Sequence, residues 1–215
     1  MPEQTDTDVV TKAFFQDENQ QTNFYNEWAK KYEEDTSREG YNGPESTLEF
    51  CLKWLKPSDR IIDIGAGTGQ LGYLLHQHGY NNIDAHDGSE EMLKLAKGKG
   101  VYTNFYCEFL EPEIESSFPR DFYDGMIIVG SFGPCHLNPD HVPELLRAVK
   151  KGGRIIIGTR KQWLTYPGDQ YKWNYALEQD FNKFEEEGKW LLLEKKFKSS
   201  YGTGVEGAYF IYEKI

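Results

Sequence analysis

A short apolar run, Ile61-Ile62-Asp63-Ile64, passes straight into Gly65-Ala66-Gly67-Thr68-Gly69 and then into the amphipathic stretch 70–78. Glycines at alternate positions let a strand turn tightly into a helix. They also let a ligand approach the backbone with no Cβ in the way, next to the free N–H groups of the helix start. The spacing separates two kinds of ligand. The dinucleotide fingerprint is G-x-G-x-x-G, and counted from Gly65 its last position falls on Gln70, whereas Gly69 makes the pattern G-x-G-x-G. That shift suits a ligand without a pyrophosphate. The next apolar run ends His86-Asp87-Gly88-Ser89, which places Asp87 at the neighbouring strand end, where a carboxylate can accept hydrogen bonds from both hydroxyls of a ribose. A plain tight turn and a simple helix cap would explain each feature separately, but together they favour ribose binding.

The remaining pattern alternates strands and helices. Phe24, Trp28 and Tyr32 recur on one helical face, and a second helix starts at Pro44 and ends before Pro57. Strands are then expected at 60–64, 82–86, 101–108, 123–129 and 154–158, with helices at 70–78, after Ser89, and at 139–150. A long helical stretch, 171–187, precedes strands at 190–197 and 208–212 joined by a glycine-containing turn. A tight turn joins only antiparallel neighbours. The expectation is therefore an α/β, Rossmann-like fold with a mostly parallel seven-stranded sheet, one antiparallel strand near its edge, and helices on both faces. Polar residues dominate 1–21, which reads as loosely ordered, and 22–215 reads as one domain whose first part, 22–57, forms a helical cover.

Composition bounds the partners. With 24 Lys plus Arg against 35 Asp plus Glu, the formal charge of −11 repels nucleic acid and anionic lipid, so neither is expected as a partner. Cys51, Cys107 and Cys135 are too dispersed for a disulfide framework or a metal pair, and no apolar run is long enough to span a bilayer. The expectation is a cytoplasmic monomer without a metal.

Asp63-Ile64-Gly65-Ala66-Gly67-Thr68-Gly69 together with Asp87-Gly88-Ser89-Glu90-Glu91-Met92-Leu93 resembles the first two motifs of class I S-adenosylmethionine-dependent methyltransferases. More narrowly, Phe24-Tyr25-Asn26-Glu27-Trp28-Ala29, Gly100-Val101-Tyr102, Ile128-Val129-Gly130-Ser131, Lys151-Gly152-Gly153 and Gly158-Thr159-Arg160 resemble the methyltransferase-like family of the Williams–Beuren syndrome chromosomal region. The resemblance implies S-adenosyl-L-methionine as cofactor and S-adenosyl-L-homocysteine as product. It implies that Gly65, Ala66, Gly67, Thr68 and Gly69 approach the methionine part, with Asp63 near its amino group. Asp87 would hold the ribose with Gly88 and Met92 nearby, and Glu108 and Phe109 would lie against the adenine in place of the usual Gly-Asp pair. Val129, Gly130 and Ser131 would stand where sulfonium and methyl acceptor meet.

Methyl transfer is an in-line displacement in which the protein's main work is alignment and exclusion of water, so no nucleophile or triad is required. His136, after the fourth strand, is the best placed titratable group and the one candidate base, although a solvent-facing loop histidine is the simpler reading. Ser131, His136 and Arg160 are the expected acceptor-binding residues, with Tyr32 and Tyr41 closing over the cofactor from the N-terminal cover. The expected activity is transfer to a small molecule or protein side chain. A cofactor-binding protein without transferase activity and a nicotinamide-dependent oxidoreductase are the alternatives.

Overall fold

The computed structural model describes residues 9–15, 18–168, 171 and 173–215. Two short N-terminal pieces come first, α1 (Val9–Lys12) and a 3₁₀ turn (Ala13–Phe15), followed by α2 (Glu18–Arg38) and α3 (Gly43–Trp54). The alternating part runs β1 (Ile61–Ile64), α4 (Gln70–Gln77), β2 (Ile83–Asp87), α5 (Glu90–Gly98), β3 (Phe105–Cys107), β4 (Tyr123–Val129), α6 (Val142–Ala148) and β5 (Val149–Arg160). It closes with α7 (Leu177–Glu186), β6 (Trp190–Gly202) and β7 (Val205–Lys214). No helix among the described residues is long and apolar enough to cross a membrane.

The strands form one seven-stranded sheet in the order β3-β2-β1-β4-β5-β7-β6. β1 lies parallel to both β2 and β4, while β7 runs antiparallel to β5 and to β6, so the reversed strand is one place in from the edge. Thr203-Gly204 makes the β6–β7 turn, with Gly204 at φ 70°, and Gly202 pairs with Val205 across it. The strand order turns back between β1 and β4, and open α/β sheets bind their ligands at such a point, beyond the carboxyl ends of the strands.

Alternate residues feed two cores. Ile62, Ile64, Met126, Ile128, Ile155, Ile157 and Phe210 pack with α6 and α7 on one face. Ile61, Ile127, Ile156 and Ile211 pack with α3, α4 and α5 on the other. Strands buried on both faces read as continuous apolar runs, which is what Ile155-Ile156-Ile157 is.

Four expectations need correction. The third strand covers only Phe105–Cys107, because the chain before it is pinned differently: Thr103 N–H donates to the Ile83 carbonyl at 2.7 Å and Asn104 to Asp84 Oδ1 at 3.1 Å, while Tyr102 drops into the core. The helix expected over 171–187 begins only at Leu177, where Asp180 Oδ2 accepts from Ala176 N–H at 3.1 Å, and Trp173 is buried in the strap before it. The stretch expected as one helix over 139–150 is a 3₁₀ turn, α6 and then the start of β5, whose edge continues to Arg160. The loose order expected for 1–21 does not hold over 9–15 and 18–21. These residues are helical, Ala13 and Gln21 are 2% and 3% exposed, and the Phe14 ring lies 5.3 Å from that of Trp163. Residues 1–8, 16 and 17 lie outside the described residues.

The glycine loop rests on Tyr102. Its ring lies across α4, where a Cβ on Gly72 would come within 2.2 Å of its Cζ and one on Gly69 within 2.9 Å of its Cε2. From there the hydroxyl donates to Asp63 Oδ2 at 2.7 Å. Gly72→Ala therefore overpacks this contact and is expected to lower the unfolding free energy by about 1–3 kcal/mol. Gly98→Ala, whose Cβ would meet nothing within 4 Å, is expected to leave it unchanged or raise it by up to ~1 kcal/mol. Urea denaturation of the two variants side by side checks the pair.

Candidate active site

Beyond the carboxyl ends of β1, β2, β4 and β5 the protein encloses a cavity of about 1170 Å³, open mouth included. α2 and the segment Ala13–Phe14 cover it. Gly65, Gly67 and Gly69 have φ of 67°, 55° and 84°, a left-handed region that side chains rarely enter. A Cβ on Gly65 would stand 2.1 Å from Ser131 Oγ, so that glycine lets the ends of β1 and β4 close together. A Cβ on Gly67 would meet nothing within 4 Å, so its missing side chain leaves open room at the cavity wall.

Asp87 ties this loop to the next one. Its Oδ2 accepts from Gly67 N–H at 2.8 Å and its Oδ1 from Ser89 N–H at 2.9 Å. Both oxygens are thereby aimed, each still has a lone pair for a ligand, and the residue lines the cavity. Burial raises the Asp87 pKa, and the two backbone donors oppose that rise. Ser89 caps α5 by accepting from Met92 N–H at 3.2 Å, and its hydroxyl donates to Asn26 Oδ1 at 2.6 Å, which fastens the covering helix α2 to the loop after β2.

Residues 62–157 match the family model described as a methyltransferase domain. Human methyltransferase-like protein 27 is 28% identical over 176 residues, which cover 80% of this chain and 68% of that protein. The protein bound by the Trm112 methyltransferase activator in a Haloferax volcanii complex shares the fold with a TM-score of 0.68 at 14% identity, over 88% of this chain and 97% of that one. Geranyl diphosphate C-methyltransferase from Streptomyces coelicolor A3(2), solved with S-adenosyl-L-homocysteine, does so with a TM-score of 0.60 at 12% identity, over 80% and 78%. Over residues 62–157 the chain is a methyltransferase domain, and in relatives and fold it resembles the class I S-adenosylmethionine-dependent methyltransferases. The narrower resemblance, to the methyltransferase-like family, holds as well.

In this methyltransferase most of the residues singled out in the sequence meet at one cavity. Gly65, Gly67, Asp87, Gly88, Met92, Glu108, Phe109, Val129, Gly130, Tyr32, Tyr41, Ser131, His136 and Arg160 all line it. Asp63, Ala66, Thr68 and Gly69 do not. Asp63 points to the opposite face of the sheet toward Tyr102, and Ala66 N–H donates to the His86 carbonyl at 2.9 Å, so these residues shape the loop from behind. Glu108 turns its carboxylate to Ser117, accepting from its N–H at 3.0 Å and its hydroxyl at 2.6 Å. The wall after β3 is fixed instead through backbone: His86 Nε2 donates to the Glu108 carbonyl at 2.9 Å and His141 Nε2 to that of Leu110 at 3.1 Å.

His136 is not a solvent-facing loop histidine. Its Nδ1 lies 2.7 Å from the Pro134 carbonyl, which can only accept, so Nδ1 carries the proton and Nε2 accepts from Tyr25 Oη at 2.7 Å and Gln21 Nε2 at 2.9 Å. Burial, with the Arg160 cation adding to it, pushes its pKa down to about 4, so the ring is neutral near pH 7. Tyr25, Gln21, Phe14 and Tyr201 also line the cavity and were not singled out as site residues. Tyr25 sits on the same face of α2 as Trp28 and Tyr32, which was visible as helical spacing; nothing local in the sequence shows that this face meets His136.

Burial raises the Asp63 pKa from 3.8 to about 7, against the opposing pull of the Tyr102 hydroxyl. An acid whose folded pKa lies above its unfolded value holds more protons when folded, so its contribution to stability falls as pH rises from about 4 through about 7. Asp63→Asn removes that dependence. Relative to wild type the variant should gain on the order of 1 kcal/mol or more between about pH 5 and about pH 8, read from urea midpoints at the two values.

Proposed function

We propose that this methyltransferase holds S-adenosyl-L-methionine along the edge from β2 to β4 and transfers its methyl group to a small molecule or protein side chain. The observation that carries the reading is Asp87, a half-buried carboxylate with both oxygens oriented by the Gly67 and Ser89 N–H groups beside a cavity that the Gly67 position leaves open. A ribose hydroxyl pair matches that carboxylate. Gly65 and Gly67 offer backbone to the methionine part, and Met92 and Phe109 offer apolar surface to the adenine. Bound there, the cofactor supplies an electrophilic methyl carbon and a thioether leaving group.

What the chain contributes is alignment in a water-poor space. Val129, Gly130 and Ser131 form the floor beside the glycine loop, and Gly130 is held by its N–H to the Gly158 carbonyl at 2.9 Å. The aromatic face of α2, with Trp28 only 7% exposed, and Phe14 form the roof. Burial keeps the phenols of Tyr25, Tyr32 and Tyr41 protonated, the second with its pKa pushed up to about 12, so none is a base; Tyr25 spends its proton on His136, and Tyr32 and Tyr41 are the donors for an acceptor. His136, neutral and with Nε2 already accepting from Tyr25, orients that phenol. Proton removal is left to acceptors that have shed their proton before attack.

Titration of the protein with S-adenosyl-L-homocysteine in a calorimeter is expected to show saturable binding, weakened at least about tenfold in Asp87→Ala through loss of a charge-assisted hydrogen-bond acceptor. Absence of binding at millimolar ligand would overturn the reading. The roof gives a second expectation: Tyr25→Phe, which removes one of the two donors to His136 Nε2 but keeps the ring, should leave S-adenosyl-L-homocysteine affinity within about threefold of wild type. If that affinity is lost instead, Tyr25 serves the cofactor directly.

A further inference from the structure

The charges around the cavity are segregated along the sheet. Asp87 follows β2 and Glu108 follows β3, whereas Arg160, the basic residue of the lining, ends β5 at the opposite side of the strand order. Adjacent strands lie about 4.8 Å apart, so three strand spacings put Arg160 roughly 14 Å along the sheet from Asp87. A ribose at Asp87 would point its sulfonium toward β1 and β4, and whatever receives the methyl would lie beyond, over β5.

Arg160 is prepared for an anion that the described residues do not provide. Arg147 and Arg154, on the same stretch of chain, are paired with Glu144 and Glu213 at 2.7 and 2.6 Å. Among the described residues Arg160 has no carboxylate within ion-pair distance. Its guanidinium stands 4.7 Å from the centre of the Phe14 ring, half-buried beside Trp163 and close enough to the hydroxyls of Tyr25, Tyr32 and Tyr41 to oppose part of the rise that burial imposes on their pKa values. A half-buried cation without a counter-ion is costly, and a planar fork of donors against aromatic walls matches a carboxylate with two parallel hydrogen bonds.

We propose that the methyl acceptor is a small molecule carrying a carboxylate, which Arg160 holds while Phe14 and Trp163 flank the rest of it. The inference rests on the cofactor reading above. A single cation, with Asp87 in the same cavity and a net charge of −11 on the chain, suits a monoanion better than a phosphate dianion. The cover of α2 and Ala13–Phe14 suits a small molecule better than a side chain on a folded protein.

The test uses the full chain saturated with S-adenosyl-L-homocysteine and titrates acetate and benzoate against acetamide and benzamide, which match them in shape without the charge. At least one carboxylate should bind about tenfold or more tightly than its amide. Arg160→Met should abolish that preference while keeping S-adenosyl-L-homocysteine affinity within about threefold, and Arg160→Lys should retain part of it. Equal binding of acids and amides, or an unaltered preference in Arg160→Met, overturns the proposal. So does tighter binding of inorganic phosphate than of either carboxylate. A loss of S-adenosyl-L-homocysteine affinity of tenfold or more in Arg160→Met also overturns it, because the guanidinium would then serve the cofactor's own carboxylate. Failure of the wild type to bind S-adenosyl-L-homocysteine defeats the cofactor reading and this inference together, whereas each of the other negative outcomes defeats the inference alone.

Discussion

The structure depends on a half-buried carboxylate that is held by two backbone donors. Asp87 accepts from Gly67 and Ser89, and those two N–H groups belong to the loops that follow β1 and β2. One side chain thus sets the distance between the neighbouring strand ends. The remaining lone pairs face the cavity, so the group that organises the loops is also the group available to a ligand. A glycine at 67 is needed for both purposes: its φ of 55° turns the N–H toward Asp87, and its missing Cβ leaves the space beside it free.

Behind the loop a second carboxylate, this one buried, does purely structural work. Asp63 stands mid-strand on the face that packs against α4, where an unpaired charge would be expensive, and the Tyr102 hydroxyl reaches it only because Gly69 and Gly72 let the ring lie flat on the helix. The glycines of this region therefore divide their roles. Gly65 and Gly67 face the cavity, while Gly69 and Gly72 face the aromatic ring that supports it. The roof depends on a polar chain in the same way: His136 donates to Pro134, accepts from Tyr25 and Gln21, and so couples α2 to the loop after β4.

Much of this was legible in one dimension because it depends on neighbours in the chain. The period of the apolar residues marked the strands and helices, and the hairpin before β7 demanded a reversed strand. The glycine spacing and Asp87 marked the cavity rim. Legibility failed where a residue's role was set by a distant contact. Tyr102 looked like part of a strand and became a wedge over α4, and the Phe14 island in a polar stretch became the ring that stacks on Arg160. His136 looked solvent-facing and became a neutral, half-buried hydrogen-bond relay.

The sequence by itself determined the class of fold and the end of the sheet where the cavity opens. Strand and helix periods, glycine conformation and turn length are local properties, and they fix the order of elements along the chain and the reversed strand near the edge. Only the tertiary structure decided which carboxylate faces the cavity and which lies behind it. Asp63 and Asp87 look alike in the sequence, each near a glycine, but the pleat of β1 turns the first toward α4 while the end of β2 turns the second outward. The same is true of charge. Composition gave a negative chain, and the folding of β5 beside β4 placed Arg160 at the far end of the cavity with no carboxylate of the described residues beside it, because strand order and not sequence order sets what a side chain meets.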